Sequence, residues 1–257
     1  YNMEGTHRYE TRGGPLLREP TTYGGWIGGA TDSRKNVQLR LEGKYFRDTA
    51  KNASVETELG LTWNQSSAVN HDIGLTFENH TDDTQYLQTV DLTANPGGVG
   101  IGGRSYVFGR IHQQTVDLTL RSNILFNRKQ SLEIYAQPFI TVGDYHEARE
   151  LARPDSYEFT HYAGPMVLDP DNGLTTNNVR DLNFAYASVN TNVVYRWEYR
   201  PGSTFFLVWT QSRSGYEARW FSAAGPADFR TNINTRNLFR NEPENRLLAK
   251  VTYWLPI

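Results

Sequence analysis

Residues 116–142, VDLTLRSNILFNRKQSLEIYAQPFITV, decide the fold. Val116, Leu118, Leu120, Ile124 and Phe126 fall on one side of an extended chain, and Asp117, Thr119, Arg121 and Asn123 on the other. After the polar turn Asn127–Gln130 the alternation resumes, with Leu132, Ile134, Ala136, Ile140 and Val142 opposing Glu133 and Gln137. Side chains alternate across a strand with a period of two, so the stretch reads as a hairpin with one apolar and one polar face. A soluble sandwich turns the apolar face to a core; a membrane barrel turns it to lipid and the polar face to a wet interior. Alternation alone does not separate the two, but length favours the barrel. Each arm runs about eleven residues, against the ~5–6 of an ordinary strand and the ~9–11 that cross a bilayer. Pro138 has no N–H for a ladder and predicts a bulge or a break.

The same pattern extends outward. Val37, Leu39, Leu41 and Tyr45 oppose Gln38, Arg40, Glu42 and Lys44; Val55, Leu59, Leu61 and Trp63 oppose Glu56, Glu58 and Thr62. A short strand is expected at 22–30, a strand pair closed at Arg200–Ser203, and a last strand at 247–255. Residues 71–93 and 105–126 read as one long hairpin projecting beyond the membrane. A turn at Thr81–Thr84 is the alternative, which would add a strand and reverse the sense of everything upstream. Tight turns at one end and long external loops at 94–104, 143–181 and 212–245 at the other are the arrangement of outer-membrane barrels. Trp63, Phe126, Trp197, Tyr199, Phe205 and Trp254 gather beside the tight turns, as an interfacial girdle does. The expected fold is therefore all-β, an antiparallel transmembrane barrel of the outer-membrane type, with about nine or ten strands in this chain. Bacterial barrels usually have an even strand number, so the chain is expected to be the C-terminal portion of a larger barrel. Residues 1–21 then form an extended segment continuing from upstream sequence, and 22–257 the barrel strands.

Composition agrees. With 257 residues, 38% hydrophobic and 13% aromatic, the chain has no run of ~18 apolar residues that would make a membrane helix. A net charge of -2 gives no electrostatic case for nucleic acid. Zero cysteines remove disulfides, thiolate metal sites and cysteine nucleophiles. Tyr1-Asn2-Met3-Glu4 lacks the basic start and apolar core of a signal peptide, which also fits a fragment or a processed C-terminal part.

Several segments resemble one family, domain of unknown function 5916. They are RGGPLLREP (12–20), TDSRK (31–35), YVFGRIHQQTVDLTLR (106–121), YAQPFITVGDYHEARELARPDSYEFTHY (135–162), VVYRWEYRPGSTFFLVWTQSRSG (193–215) and LLAKVTYWL (247–255). The resemblance implies the C-terminal barrel of a bacterial envelope protein whose N-terminal part is a family 9-like carbohydrate-binding module. It implies no settled activity and carries no catalytic residues.

Candidate site residues fall in two places. Tyr145, His146, Glu150, Arg153 and Tyr157 lie in the expected outer loop, where Tyr145, Tyr157 and Tyr162 would stack on sugar rings; the competing reading is a solvated loop whose charges pair with one another. Arg40, Glu42, Lys44, Glu56, Glu58, Asp117, Arg121 and Glu133 would line the lumen, either as a polar pathway or as a mutually neutralising network. Glu56 and Glu58 lie two apart on one face, so an acid–base pair is conceivable, but neighbouring Arg and Lys favour structural pairing. His146-Glu147 lacks the second His of a zinc protease, and Asp169–Gly173 lacks calcium-loop spacing, so no metal is expected. No GxSxG elbow is present, so no catalytic residue and no cofactor is assigned. The expectation is a bacterial outer-membrane protein with lipid as a partner, binding or transporting glycan-related material. A barrel-anchored polysaccharide hydrolase and an envelope scaffold that binds partner proteins are the alternatives.

Overall fold

The computed structural model describes residues 6–7, 10–93, 98–161, 166–169, 174–176, 182–218 and 233–255. Strands β1 (Thr6–His7) and β2 (Leu17–Arg18) pair with each other. The main sheet begins with β3 (Thr22–Ala30), β4 (Val37–Asp48), β5 (Ala53–Ser66), β6 (Val69–Asp91), β7 (Arg104–Asn127) and β8 (Gln130–Leu151). Short strands β9 (Phe159–His161), β10 (Met166–Asp169) and β11 (Leu174–Thr176) follow, then β12 (Phe184–Arg200), β13 (Ser203–Ala218) and β14 (Glu244–Thr252). The spatial order is β14-β13-β12-β8-β7-β6-β5-β4-β3, with β9 attached to β8. All strand ladders are antiparallel, as alternation predicts, and among the described residues there is no α-helix, only a 3-10 turn at Thr235–Phe239. The sheet is open: β3 and β14 are its two edges and do not pair with each other.

The connections sort by end. Those at 31–36, 67–68, 128–129 and 201–202 lie at one end, here the turn end. Those at 49–52, 92–103, 152–183 and 219–243 lie at the other, the loop end. The turn at 201–202 shows why the first set is tight. Pro201 presets its φ, Gly202 takes φ +77, and Trp254 packs against the space a side chain at 202 would fill.

Register carries each face across the sheet. Leu41, Leu59, Leu75 and Leu118 stand opposite one another in sequence, and so do Glu42, Glu58, Thr76 and Asp117 on the reverse face. Pro138 neither bulges nor breaks β8. It pairs with Val189 of β12, and only the β7 ladder lapses between Asp117↔Phe139 and Leu120↔Ala136, at constant register. The lost donor thus costs a gap on one side of one strand.

Two expected loops are also corrected. The loop placed at 143–181 is strand through Leu151, and the loop placed at 212–245 is strand to Ala218 and again from Glu244. The first correction has a plain cause. Beyond about residue 140 the sheet is covered on both faces by protein, so its strands stop obeying simple alternation. On one face Val90, Val107, Ile111 and Tyr145 pack with Phe184 and Leu182. On the other, Leu17 of β2 packs with Phe108 and Leu151, joined by Tyr157 and Phe159. A third cluster, Ile140, Val142, Ala185 and Ala187, is capped by Ile233 and Leu238. Thr81–Thr84 is no turn; it is a β-bulge inside the single strand β6, where the register shifts between Asp82 and Gln85.

Phe108 is 0% exposed, so Phe108→Ala should destabilise the fold by about 3–5 kcal/mol through transfer and cavity terms. The exposed Val99→Ala should change little. Denaturant unfolding followed by circular dichroism measures both.

Candidate functional site

Two polar centres stand out, one on the polar face and one at the loop end. On the polar face, Lys44 sits between three carboxylates: Nζ lies 3.3 Å from Glu42 Oε1, 3.1 Å from Glu56 Oε1 and 3.0 Å from Glu58 Oε1. Strand pairing makes this cluster, because Lys44 faces Glu56 and Glu42 faces Glu58 across β4 and β5. Further along the face Asp117 accepts from Gln137 Nε2 at 2.6 Å and from Thr119 Oγ1 at 3.1 Å. Arg121 lies over the Tyr135 ring at 5.6 Å, Arg40 lies over Gly60, and Glu133 is exposed. Glu56 and Glu58 share one cation, the arrangement of a neutralising network.

The second centre is built on the bulge in β6. A bulge leaves backbone groups outside the ladder, and buried ones must find other partners. Asp83 N–H donates to Asn52 Oδ1 at 2.8 Å, and its carbonyl accepts from Arg149 Nη2 at 2.7 Å. The carboxylate, almost wholly buried, accepts from Arg110 Nη2 at 3.0 Å and Nε, and pairs with Arg149 Nη2 at 3.0 Å. Arg149 in turn lies 4.4 Å over the Phe159 ring. Burial pushes the Asp83 carboxyl up, but the two guanidinium groups outweigh it and hold it below the usual carboxylate range. Asn52 bonds the Asp48 carboxylate at 2.7 Å and the Tyr157 hydroxyl at 3.1 Å. Burial pushes the Tyr157 hydroxyl up to about 12, so it stays a neutral phenol. Beside this node opens a cleft of about 330 Å³, walled by Phe46, Asp48, Asn52, His80, Asp82 and Tyr157.

Of the outer-loop residues, Tyr157 alone joins this cleft. Tyr145 and Glu150 are buried at 8% and 1% exposure, which takes both away from any ligand. Tyr145 belongs to a core cluster, and burial pushes its hydroxyl up to about 12. Glu150 Oε1 accepts from Val99 N at 3.0 Å beneath the β6–β7 connection. His146 is exposed beside Asp144 at 3.5 Å, and Arg153 pairs with Glu158 at 2.5 Å, as charges on a solvated surface do. Tyr162 lies outside the described residues, as does part of Asp169–Gly173. The Asp83 node was not anticipated; its signal was the polar run Thr81–Thr84 interrupting an alternating strand.

A family model described as a domain of unknown function, DUF5916, matches residues 1–257. The chain belongs to this family. No curated protein and no solved structure matches it. This DUF5916 chain is an open antiparallel sheet with a carboxylate–lysine cluster on its polar face and an Asp–Arg node at its loop end.

Removing the Asp83 charge takes from Arg149 its carboxylate and leaves Arg110 with Glu147 at 3.9 Å, so Asp83→Asn should cost about 3 kcal/mol, the low end for breaking a buried pair. Because the folded carboxyl titrates below its unfolded value, its contribution is present above the ordinary carboxylate range and is lost as pH falls through the folded value. Stability of the parent should therefore drop on acidification more steeply than that of Asp83→Asn, measured by denaturant midpoints from neutral pH down to pH about 3.

Proposed function

We propose that this chain forms wall strands of a transmembrane β-barrel in a bacterial outer membrane, and that the barrel binds or passes glycan-related material. The apolar face meets lipid, the polar face a wet interior, and the loop end the outside. The observation that carries the membrane reading is a bare apolar surface that none of the described residues covers. Leu39, Leu41, Leu59, Ile73, Leu247 and Val251 are between 37% and 71% exposed. Soluble monomers rarely expose apolar patches beyond a few hundred Å². The bare band also has a membrane-like height. On β8 it runs from Leu132 until Ile140, which Ile233 and Leu238 cap. Eight residue steps at ~3.4 Å, tilted ~40°, give roughly 20 Å, near the ~25 Å apolar band of outer-membrane barrels. At its lower margin Trp63, Phe126, Trp197 and Trp254 are 41–63% exposed, where a girdle belongs.

The glycan part rests on the family resemblance and on the loop-end cleft. Its acid, amide, imidazole and aromatic groups are the kind that bond and stack on a polyhydroxylated ligand. A hydrolytic reading has less support, because the carboxylate pair Glu56 and Glu58 is engaged by Lys44.

Leu118→Arg should impair assembly by roughly 2–4 kcal/mol if residue 118 meets lipid near the midplane, while Thr119→Arg on the opposite face is tolerated. Heat-resistant folding in outer-membrane lipid vesicles reads the difference, and equal sensitivity at both positions sinks the orientation. Proteoliposome swelling in neutral di- and trisaccharides, with calorimetry on the same sugars, tests the second part. Neither passage nor binding would remove the glycan assignment and leave the wall intact.

A further inference from the structure

The two open edges run in the same direction. β3 starts at the loop end, since Thr22 stands opposite Asp48, and finishes at the turn end. β14 also starts at the loop end, where Glu244 stands opposite Ser212, and finishes where Thr252 meets Thr204. That is forced by an odd count, because nine main strands in an antiparallel meander must end as they began. Direct closure of β3 on β14 would therefore make a parallel pair. Two copies related by an axis along the membrane normal would make parallel pairs at both seams. Parallel ladders are weaker per residue, and single-chain bacterial barrels are antiparallel with even strand numbers. Neither edge can stay bare in lipid, where each unpaired backbone group costs several kcal/mol.

Both edges are also open on their side chains. β3 and β14 are each exposed at eight of nine positions. Each presents a large, bare apolar residue on the face that carries Lys44 and Glu133: Trp26, opposite Lys44, is 71% exposed, and Leu248, opposite Val208, is 61% exposed. Flanking strands would cover both.

The route into β3 shows where such strands connect. Leu17 is 1% exposed in a loop-end cluster, Arg18 N donates to Ser156 O at 3.2 Å, and Asp155 N donates to Leu16 O at 2.8 Å. Thr21 O then accepts from Thr49 N at 3.0 Å before β3 begins. The chain thus arrives at β3 from the loop end, which already houses the long connections. A strand ending there runs from turn end to loop end, antiparallel to β3.

We infer that the seam between β3 and β14 is filled by an odd number of further strands of the same polypeptide, the last joined to β3 through residues 1–21. This rests on the membrane reading above. The test places the photo-cross-linking residue p-benzoylphenylalanine in the natural protein, in intact outer membranes, as Trp26→p-benzoylphenylalanine or Leu248→p-benzoylphenylalanine. Cross-linked peptides are then identified by mass spectrometry. The expected partners at both positions are peptides upstream of Tyr1, joined within one chain. Cross-links from 26 into 244–252 overturn the inference in favour of parallel self-closure. A species of twice the mass overturns it in favour of a second copy, and a different protein does so in favour of a foreign strand. No protein partner at either position means a bare seam and overturns it too. Leu118→p-benzoylphenylalanine separates the two layers: failure to cross-link lipid there is failure of the membrane reading itself.

Discussion

The ladder joining β6, β7 and β8 is the constraint on which the rest depends. These strands, at 23, 24 and 22 residues, are the longest in the sheet and hold all three of its environments in one register. Near the turns they carry leucines on one face and charges on the other. Past the middle they enter a region where protein covers both faces. A one-residue slip would exchange the faces along the whole length. The register is instead adjusted by bulges, at Asp82/Gln85 and Tyr86/Gln88 in β6 and at Arg110/Ile111 against β8. They fall where the bare band gives way to the packed extension. Each lets a strand with one alternation continue with another.

A bulge exposes polar backbone, and the Asp83 node resolves that cost. Asn52 takes the orphaned N–H, Arg149 takes the orphaned carbonyl, and the Asp83 carboxylate holds Arg110 and Arg149 where they are needed. The node thereby ties the β4–β5 connection, through Asn52 and Asp48, to β8 and to Tyr157 beyond it. It is a structural clamp beside a cleft rather than a reactive centre, because each of its charges already has a partner.

Much of the lower half was legible in sequence. β3 begins and ends at Thr22 and Ala30 as its composition suggests, and the hairpins at Asn127–Gln130 and Arg200–Ser203 close there. Alternation is a faithful signal where one face is apolar and the other wet, and polar two-residue turns are local chemistry. Legibility failed where those conditions failed. The stretch His146–Glu150 is rich in charge and reads as solvated loop. Yet the fold buries Glu150 beneath Val99 and sets Arg149 between Asp83 and Phe159. Val99 lies more than fifty residues from Glu150 in sequence, and Asp83 more than sixty from Arg149. No local pattern announces them. Tyr145 likewise looks like a ligand-facing aromatic until Ile111 and Val107, from another strand, pack over it.

The taper of the sheet gives the two halves separate duties. Strand length falls from 24 residues at β7 to 9 at each edge, so only the central strands project beyond the bare band. Nine residues are just enough to cross a bilayer. In the proposed frame the edges β3 and β14 therefore lie wholly at membrane height, and any strand that joins them need only span lipid. The clamp stands on the three strands farthest from the seam, whereas the cleft beside it reaches across β4 to Thr22 at the start of β3. Wall closure and the clamp are thus mechanically separate: the number of strands that complete the wall can change without disturbing the Asp83 node, whose every ligand comes from β6, β7, β8 and the turn at Asn52.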